Sequence, residues 1–283
     1  MTSQTETSPT ALRIEPGMAE RDPSTFLRRR GRVEFALSLA TPIIFVLAWE
    51  FASRMGWMDK RFFPAPTNIF DSAVNMYQTG LLEKDLIAST LRILAGFALG
   101  VVSGLIAALA LGLSRKTRAA LEPFLSALYT VPKLALLPLL LLIFGLGEFP
   151  KVLLVAMTVF FQVWISCMEA ILTIPETYKE AARSFGAKGW SMFRHVTWPA
   201  LLPQLFINMR ISIGIAVLVI VGVEFVQASE GIGYRIWHSW SLFQANRMYV
   251  GICVVAIMGY VFGYAVRWVG IWALPWTRAR TKV

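Results

Sequence analysis

Apolar positions run through this chain in six long blocks, near residues 34–53, 87–113, 124–144, 151–172, 204–228 and 248–272. At 1.5 Å per helical residue each block can cross a hydrocarbon core of about 30 Å. The pattern predicts an all-α membrane protein with six transmembrane helices. Pro132 and Pro138 interrupt the third block. A proline in a spanning helix frees backbone groups that protein or water must then meet, which places this break beside a cavity. Between the fourth and fifth blocks lies a polar, basic stretch, KEAARSFGAKGWSMFRHVTWPALLP, from Lys179 to Pro203. Thr173, Pro175 and Glu176 predict a helix start with a Thr-x-x-Glu capping box. Gly186 supplies a left-handed stop. A second short helix then presents Trp190 and Phe193 on one side and ends at Pro199. Between the first two blocks, Pro64 to Gly80 predicts a short interfacial helix started by Pro66-Thr67, with Ile69, Ala73 and Met76 on one face.

Composition supports a bilayer setting. The 283 residues are 56% hydrophobic and only 16% charged, with a mean hydropathy of +0.59; soluble domains carry roughly 25% charged residues. The net charge of +10 raises the question of nucleic acid, but the basic residues follow topology instead. Arg13, Arg21, Arg28, Arg29, Arg30 and Arg32 precede the first block; Arg115, Lys116 and Arg118 follow the second. Lys179, Arg183, Lys188 and Arg194 lie in the polar stretch, and Arg278, Arg280 and Lys282 end the chain. The opposite side holds fewer: Arg54, Lys60, Arg61, Lys84, Lys151, Arg235 and Arg247. The positive-inside rule therefore puts both termini and the polar stretch in the cytoplasm, and no nucleic-acid module is visible. Residues 1–33 read as a disordered cytoplasmic tail, residues 34–272 as the six-span domain and residues 273–283 as a basic cytoplasmic tail. The first block is a retained span, since it is too long for a signal peptide and lacks a cleavage site.

Gly96, Gly100 and Gly104 recur at intervals of four in the second block, followed by Ala108 and Gly112; Gly259 and Gly263 repeat the device in the last. Such faces let helix backbones approach closely, either within one subunit, which is favoured, or at a dimer seam. Ionisable residues inside the blocks are costly and each calls for a role. For Arg92 and Arg210 the favoured expectation is snorkelling or pairing near an interface. Lys133, between two prolines, is a candidate to line a path for a small anion, the alternative being contact with headgroups. Glu224 needs a partner or a proton; a structural role is favoured over a constriction. Glu169 reads as a solvated or capping contact, and Cys167 and Cys253 as small buried hydrophobes. His195 and His238 are lone histidines without metal-ligand spacing. Gly231 and Gly233, followed by Tyr234, Trp237 and Trp240, suggest a re-entrant turn and a short interfacial helix, serving as a gate, a docking surface or a membrane anchor.

The chain has no GxxxxGK[ST] loop, HExxH, GxSxG or Cys/His cluster, so it is not expected to be an enzyme or to hydrolyse ATP. Glu180, Ala181, Ala182, then Gly186 after three residues and Pro199 at the close, resemble the EAA loop of bacterial ABC-importer permeases, with Val196 and Trp198 in place of that pattern's Ile and Leu. FPAPTNIF, STLRILAGFALG, VPKLALLPLLLLIFGLGEFPKVLLVA and VEFVQASEGIGYRIWHS are similar to the permeases of the nitrate, sulfonate, taurine and bicarbonate importers, over about residues 62–270. The resemblance implies the type I (MetI-like) permease fold, a coupling loop at 174–203 and location in the bacterial inner membrane. It also implies a second permease subunit in a homodimer, ABC ATPase subunits docked at that loop, and an external substrate-binding protein. No cofactor is implied in this chain, since ATP and Mg would be used by the ATPase. Glu180, Ala181, Ala182, Gly186, Trp190, Phe193 and Pro199 would carry coupling. Pro132, Lys133, Pro138 and Glu224 are the candidate path residues. Rival expectations are an ATPase-independent secondary transporter, which calls for internal repeats and midplane carboxylates, a membrane scaffold or receptor, and an ABC permease for a heterocyclic vitamin precursor.

Overall fold

The computed structural model describes residues 23–276. The chain divides into two units, Met1–Lys60 and Arg61–Val283, each described by itself. The first holds one helix, α1 (Pro23–Arg54), whose side chains from Val33 onward are mostly exposed, as suits a segment solvated by lipid. It starts at Pro23, earlier than the block at 34, so residues 23–33 of the expected disordered tail are helical. The remainder of that tail and most of the basic C-terminal tail lie outside the described residues.

The second unit contains α2 (Pro66–Gln78), α3 (Leu81–Leu113), α4 (Arg115–Tyr129), α5 (Leu137–Phe144), α6 (Glu148–Leu172), α7 (Glu176–Ser184), α8 (Trp198–Gln227), α9 (Ile232–Ser241) and α10 (Ala245–Ala273). Across both units, five helices are long and apolar enough to cross a membrane, or six if one bent pair counts as a span. That pair corrects the third block, for which residues 124–144 were expected to form one interrupted helix. Ser114 caps the start of α4 by accepting from the Thr117 amide, so the basic Arg115–Arg118 segment is its first turn and not a loop. After Tyr129 the chain turns through Pro132 into a 3-10 turn, Lys133–Leu136, and then into α5, the two arms meeting at 88°. Pro132 lies in the extended break. Pro138 instead falls in the first turn of α5, where its missing N–H leaves no helical bond unmade. It starts a helix and interrupts none.

The core is built on α6. Leu154, Val155, Val159, Val163, Trp164 and Cys167 are buried there against α3 and α8. The α3 glycines make the close approach. A Cβ on Gly96 would stand 2.7 Å from Val155, one on Gly100 2.6 Å from the Ala156 carbonyl oxygen, and one on Gly104 2.7 Å from that of Phe160. The first glycine stripe is therefore a seam within one chain. The second is not filled: nothing lies within 4 Å of a Cβ on Gly259 or Gly263. Cys253, on the same helix, is exposed and not buried as expected, because no described residue covers it. The α2 helix forms as predicted, with Pro in its first turn and Ile69 and Met76 buried.

Candidate functional site

Two polar assemblies occupy opposite ends of the second unit. The first is the hairpin between α6 and α8. Its α7 helix stops as a Schellman turn: Gly186 adopts φ +82°, its amide donates to the Arg183 carbonyl at 2.9 Å, and the Ala187 amide donates to that of Ala182 at 2.9 Å. The expected capping box is absent. Thr173 sits at the C-terminal cap of α6, where its hydroxyl donates back to the Glu169 and Ala170 carbonyls, leaving nothing for α7. Glu176 instead pairs with Lys179 at 3.1 Å and Arg183 at 3.0 Å, and the Lys179 ammonium above all holds its carboxyl below the usual range. Glu180, Ala181 and Gly186 are exposed, while Ala182 is half-buried. Trp190 and Phe193 stack with ring centroids 5.1 Å apart, and Phe193 lies 6.0 Å from Trp198.

Pro199 does not end the second short helix. A single turn, Trp190–Met192, runs into a π turn, Phe193–Thr197, and directly on into α8. Pro199 falls in the first turn of α8, where proline is tolerated. The hairpin is thus continuous with a spanning helix. A cavity of about 460 Å³ opens beside it between α6 and α8, lined by Ser166, Glu169, Thr173, Pro203, Gln204 and Ile207 among others.

The second assembly is a cluster of buried charges at the far end. Arg92 on α3 is 4% exposed. Its guanidinium grips Glu148 bidentately at 2.5 and 2.9 Å, donates to Glu224 at 2.7 Å and reaches the Glu230 carbonyl at 2.8 Å. Glu224, fully buried, also accepts from Ser89 and from the Gly233 amide at 2.8 Å. Asp85 accepts from the Gly231 amide at 2.9 Å and from Arg235 at 2.6 Å, and Ser89 accepts from the Ile232 amide at 2.8 Å. The amides of Gly231, the N-cap of α9, and of Ile232 and Gly233 in its first turn, which a helix leaves unpaired, are thus met by side chains from α3 and α8. Carboxylates at a helix N-terminus also gain from its dipole. Gly231, at φ +121°, admits no side chain because a Cβ would stand 2.5 Å from the Glu224 carboxylate. Lys151 pairs with Glu148 and Lys84 with Glu230. Arg92 pairs and does not snorkel, and Glu224 holds helices together.

The other expected residues are placed separately. Lys133 folds back to donate to the Tyr129 carbonyl, its ammonium 4.8 Å from the Tyr129 ring centre and 4.6 Å from that of Phe161. Pro132 and Pro138 flank it in the bent segment, and neither takes part in the hydrogen bonds of Glu224. His238 stacks on Tyr234 and His195 bonds within its own turn. Sequence reasoning missed Asp85, Ser89, Glu148 and Arg235. A signal existed for two of them: Asp85, Ser89 and Arg92 recur at four- and three-residue intervals on one face of α3. It also missed Asn208, 5% exposed, which donates to the Gln162 carbonyl at 2.9 Å and to the Ser166 hydroxyl, tying α8 to the middle of α6.

Known proteins share both sequence and fold with this chain. It is 32% identical over 254 residues to the putative aliphatic sulfonates transport permease protein SsuC of Bacillus subtilis (strain 168), covering 90% of this chain and 88% of the relative. It is 26% identical to the taurine transport system permease protein TauC of Escherichia coli (strain K12), covering 86% and 90%. Among solved structures, a chain of the MetNI methionine ABC transporter in inward-facing conformations matches with a TM-score of 0.55 at 19% identity, over 69% of this chain and 96% of that one. A chain of a bacterial alginate ABC transporter matches with a TM-score of 0.55 at 16% identity, over 89% and 96%. These structural matches carry the expected MetI-like fold. Residues 100–271 match the family model for the binding-protein-dependent transport system inner membrane component, and the chain belongs to that family.

Proposed function

We propose that this chain is the membrane-spanning permease of an importer driven by a separate ATPase, and that it carries a small sulfonate or taurine-like anion handed over by an external binding protein. The observation that carries this reading is the hairpin. It is a largely exposed polar segment, it displays Trp190 at 71% exposure, and it runs without a break into α8. A push on Glu180–Trp198 is therefore delivered to a helix that lines the interior. The π turn at Phe193–Thr197 is the compliant joint, since such turns mark local departures from regular helix. Glu180, Ala181, Ala182, Gly186, Trp190, Phe193 and Pro199 form the ATPase-facing surface, and ATP and Mg are used in the partner. Two copies of the chain enclose the path by alternating access. The hairpin and both termini face the cytoplasm, in keeping with the distribution of Lys and Arg. Nitrate and bicarbonate are alternative cargoes of the same charge. The names of the sulfonate and taurine relatives favour the sulfonate class.

The test is uptake of labelled taurine and ethanesulfonate by cells expressing the permease with its ATPase and binding protein, alongside nucleotide-dependent co-purification of that ATPase. ATP-dependent uptake and co-purification are expected. Uptake that persists without any ATPase would overturn the reading.

A further inference from the structure

Among the described residues, Lys133 and Arg210 are cations in the middle of the bundle, and only Lys133 is partnered. Lys133 is covered by two aromatic rings and a carbonyl. Arg210, on α8, is exposed and makes no ion pair or hydrogen bond with any described residue. Its depth follows from its neighbour. Asn208 is bonded to Gln162 and Ser166 of α6. At 1.5 Å per residue, Gln162 lies about 21 Å from the Glu148 end of α6 and about 15 Å from the Leu172 end. Arg210, two residues on from Asn208, is therefore near the middle of the span, too deep for a side chain to reach either headgroup layer. A bare arginine at that depth faces a water-filled path or a partner and not lipid, because its transfer into hydrocarbon costs at least ~2.5 kcal/mol.

The surroundings of Arg210 fit a path. Ile207, one turn below on the same side of the helix, lines the 460 Å³ cavity together with Gln204. Gly214, one turn above, has nothing within 4 Å of a Cβ position, so the space beside the guanidinium is open. Ile207, Ile211 and Leu218 continue the exposed side of α8 as apolar wall. At the far end of this side, Leu134 of the 3-10 turn closes to 3.5 Å from a Cβ on Gly222. Two other exposed cations in spanning helices of the second unit differ in position: Lys84 lies in the first turn of α3 and pairs with Glu230, and Arg267 lies within two turns of the end of α10, where snorkelling suffices.

We infer that Arg210 binds the oxyanion headgroup of the transported sulfonate midway across the membrane, with the Gly214 gap admitting the headgroup and the Ile207–Ile211 wall receiving the alkyl part. A guanidinium offers two parallel N–H donors to two oxygens of a sulfonate, which suits Arg better than a point charge. The assignment rests on the permease reading above and adds the residue that recognises the cargo. It moves the anion site from Lys133, whose ammonium is already occupied.

Two measurements on the full chain test this. The first is uptake of labelled ethanesulfonate by the complete transporter. Arg210→Gln is expected to lower uptake at least ten-fold, Arg210→Lys to retain part of it with a raised KM, and both to keep ATPase co-purification. Wild-type rates in Arg210→Gln overturn the inference while leaving the permease reading intact. Loss of ATPase co-purification in Arg210→Gln shows a structural guanidinium and also overturns it. The second measurement is independent of the functional reading. In a Cys253→Ala background, Arg210→Cys in membrane vesicles is treated with the anionic thiol reagent 2-sulfonatoethyl methanethiosulfonate. Modification, slowed by millimolar ethanesulfonate, is expected. An unreactive thiol at this position means that it faces lipid and overturns the inference, whatever the wild type transports. A wild type that takes up no sulfonate, with the thiol modified but unprotected, overturns the sulfonate assignment and the cargo reading together.

Discussion

At one end of the bundle Arg92 is 4% exposed and its guanidinium reaches Glu148, Glu224 and Glu230; at the other, Phe185 is 91% exposed and Trp190 71%. Both ends are polar, yet the first has spent its donors and acceptors inside the chain and the second offers its surface outward. In the far cluster four carboxylates, Asp85, Glu148, Glu224 and Glu230, meet four cations, Lys84, Arg92, Lys151 and Arg235. Buried ion pairs of this kind add little net stability, but breaking one strands the others without water. They fix how α3, α6, α8 and α9 meet. The hairpin ion pairs of Glu176 are exposed and contribute little to the fold. The contrast implies that one end is a fixed closure and the other a movable contact.

The largest expected effect comes from attacking the closure. Arg92→Met leaves the fully buried Glu224 without its cation, and should destabilise the folded protein by about 3–5 kcal/mol. Lys179→Met in the hairpin removes an exposed pair and should leave the unfolding midpoint almost unchanged. Thermal unfolding in detergent compares them, and equal shifts would erase the distinction between the two ends. Next come the glycine stripes. Gly100→Val drives a side chain into the Ala156 carbonyl and should destabilise by about 1–3 kcal/mol. Gly259→Val meets open space and should stay within about 0.5 kcal/mol in the isolated chain. If the chain dimerises as proposed, a large loss for Gly259→Val in the dimer alone would place the second stripe at the subunit seam.

Gly186→Val forces a β-branched residue into φ +82°, at a local strain of about 1–2 kcal/mol. Uptake should collapse while the unfolding midpoint falls by only a few degrees, because the strain is confined to an exposed turn. Full uptake by this variant would remove the hairpin from coupling. A change in stability as small as that of Gly259→Val, within about 0.5 kcal/mol, is expected for Trp190→Ala, accompanied by weakened co-purification of the ATPase. Unchanged co-purification would mean that the aromatic pair serves only the hairpin itself.

Much of this molecule is legible from local pattern. Spans follow from apolar runs, the α7 stop from Gly186, and α2 from Pro66 with Ile69 and Met76 on one face. Misreadings arose where two local signals competed for one residue. Thr173 fits a capping box, but the C-terminus of α6 claims its hydroxyl first. Pro138 and Pro199 read as breaks or ends, yet proline is equally at home in a first helical turn, and both start helices. The α3 face was half visible: Asp85, Ser89, Arg92, Gly96, Gly100 and Gly104 form one inward row, polar at one end and glycine thereafter.

The sequence by itself determined the helices, their membrane character and the exposed hairpin, because these depend on the spacing of residues a few positions apart and on their solvation. The tertiary structure alone decided which charges are partnered. Arg92 meets Glu224 across 132 positions and Asp85 meets Arg235 across 150, separations over which no periodicity carries information. It likewise decided that the first glycine stripe is filled and the second open, and that Lys133 is covered while Arg210 is bare. Each of these outcomes is set by which helix packs against which, and burial in a medium of low dielectric then turns that packing into the difference between an occupied charge and an available one.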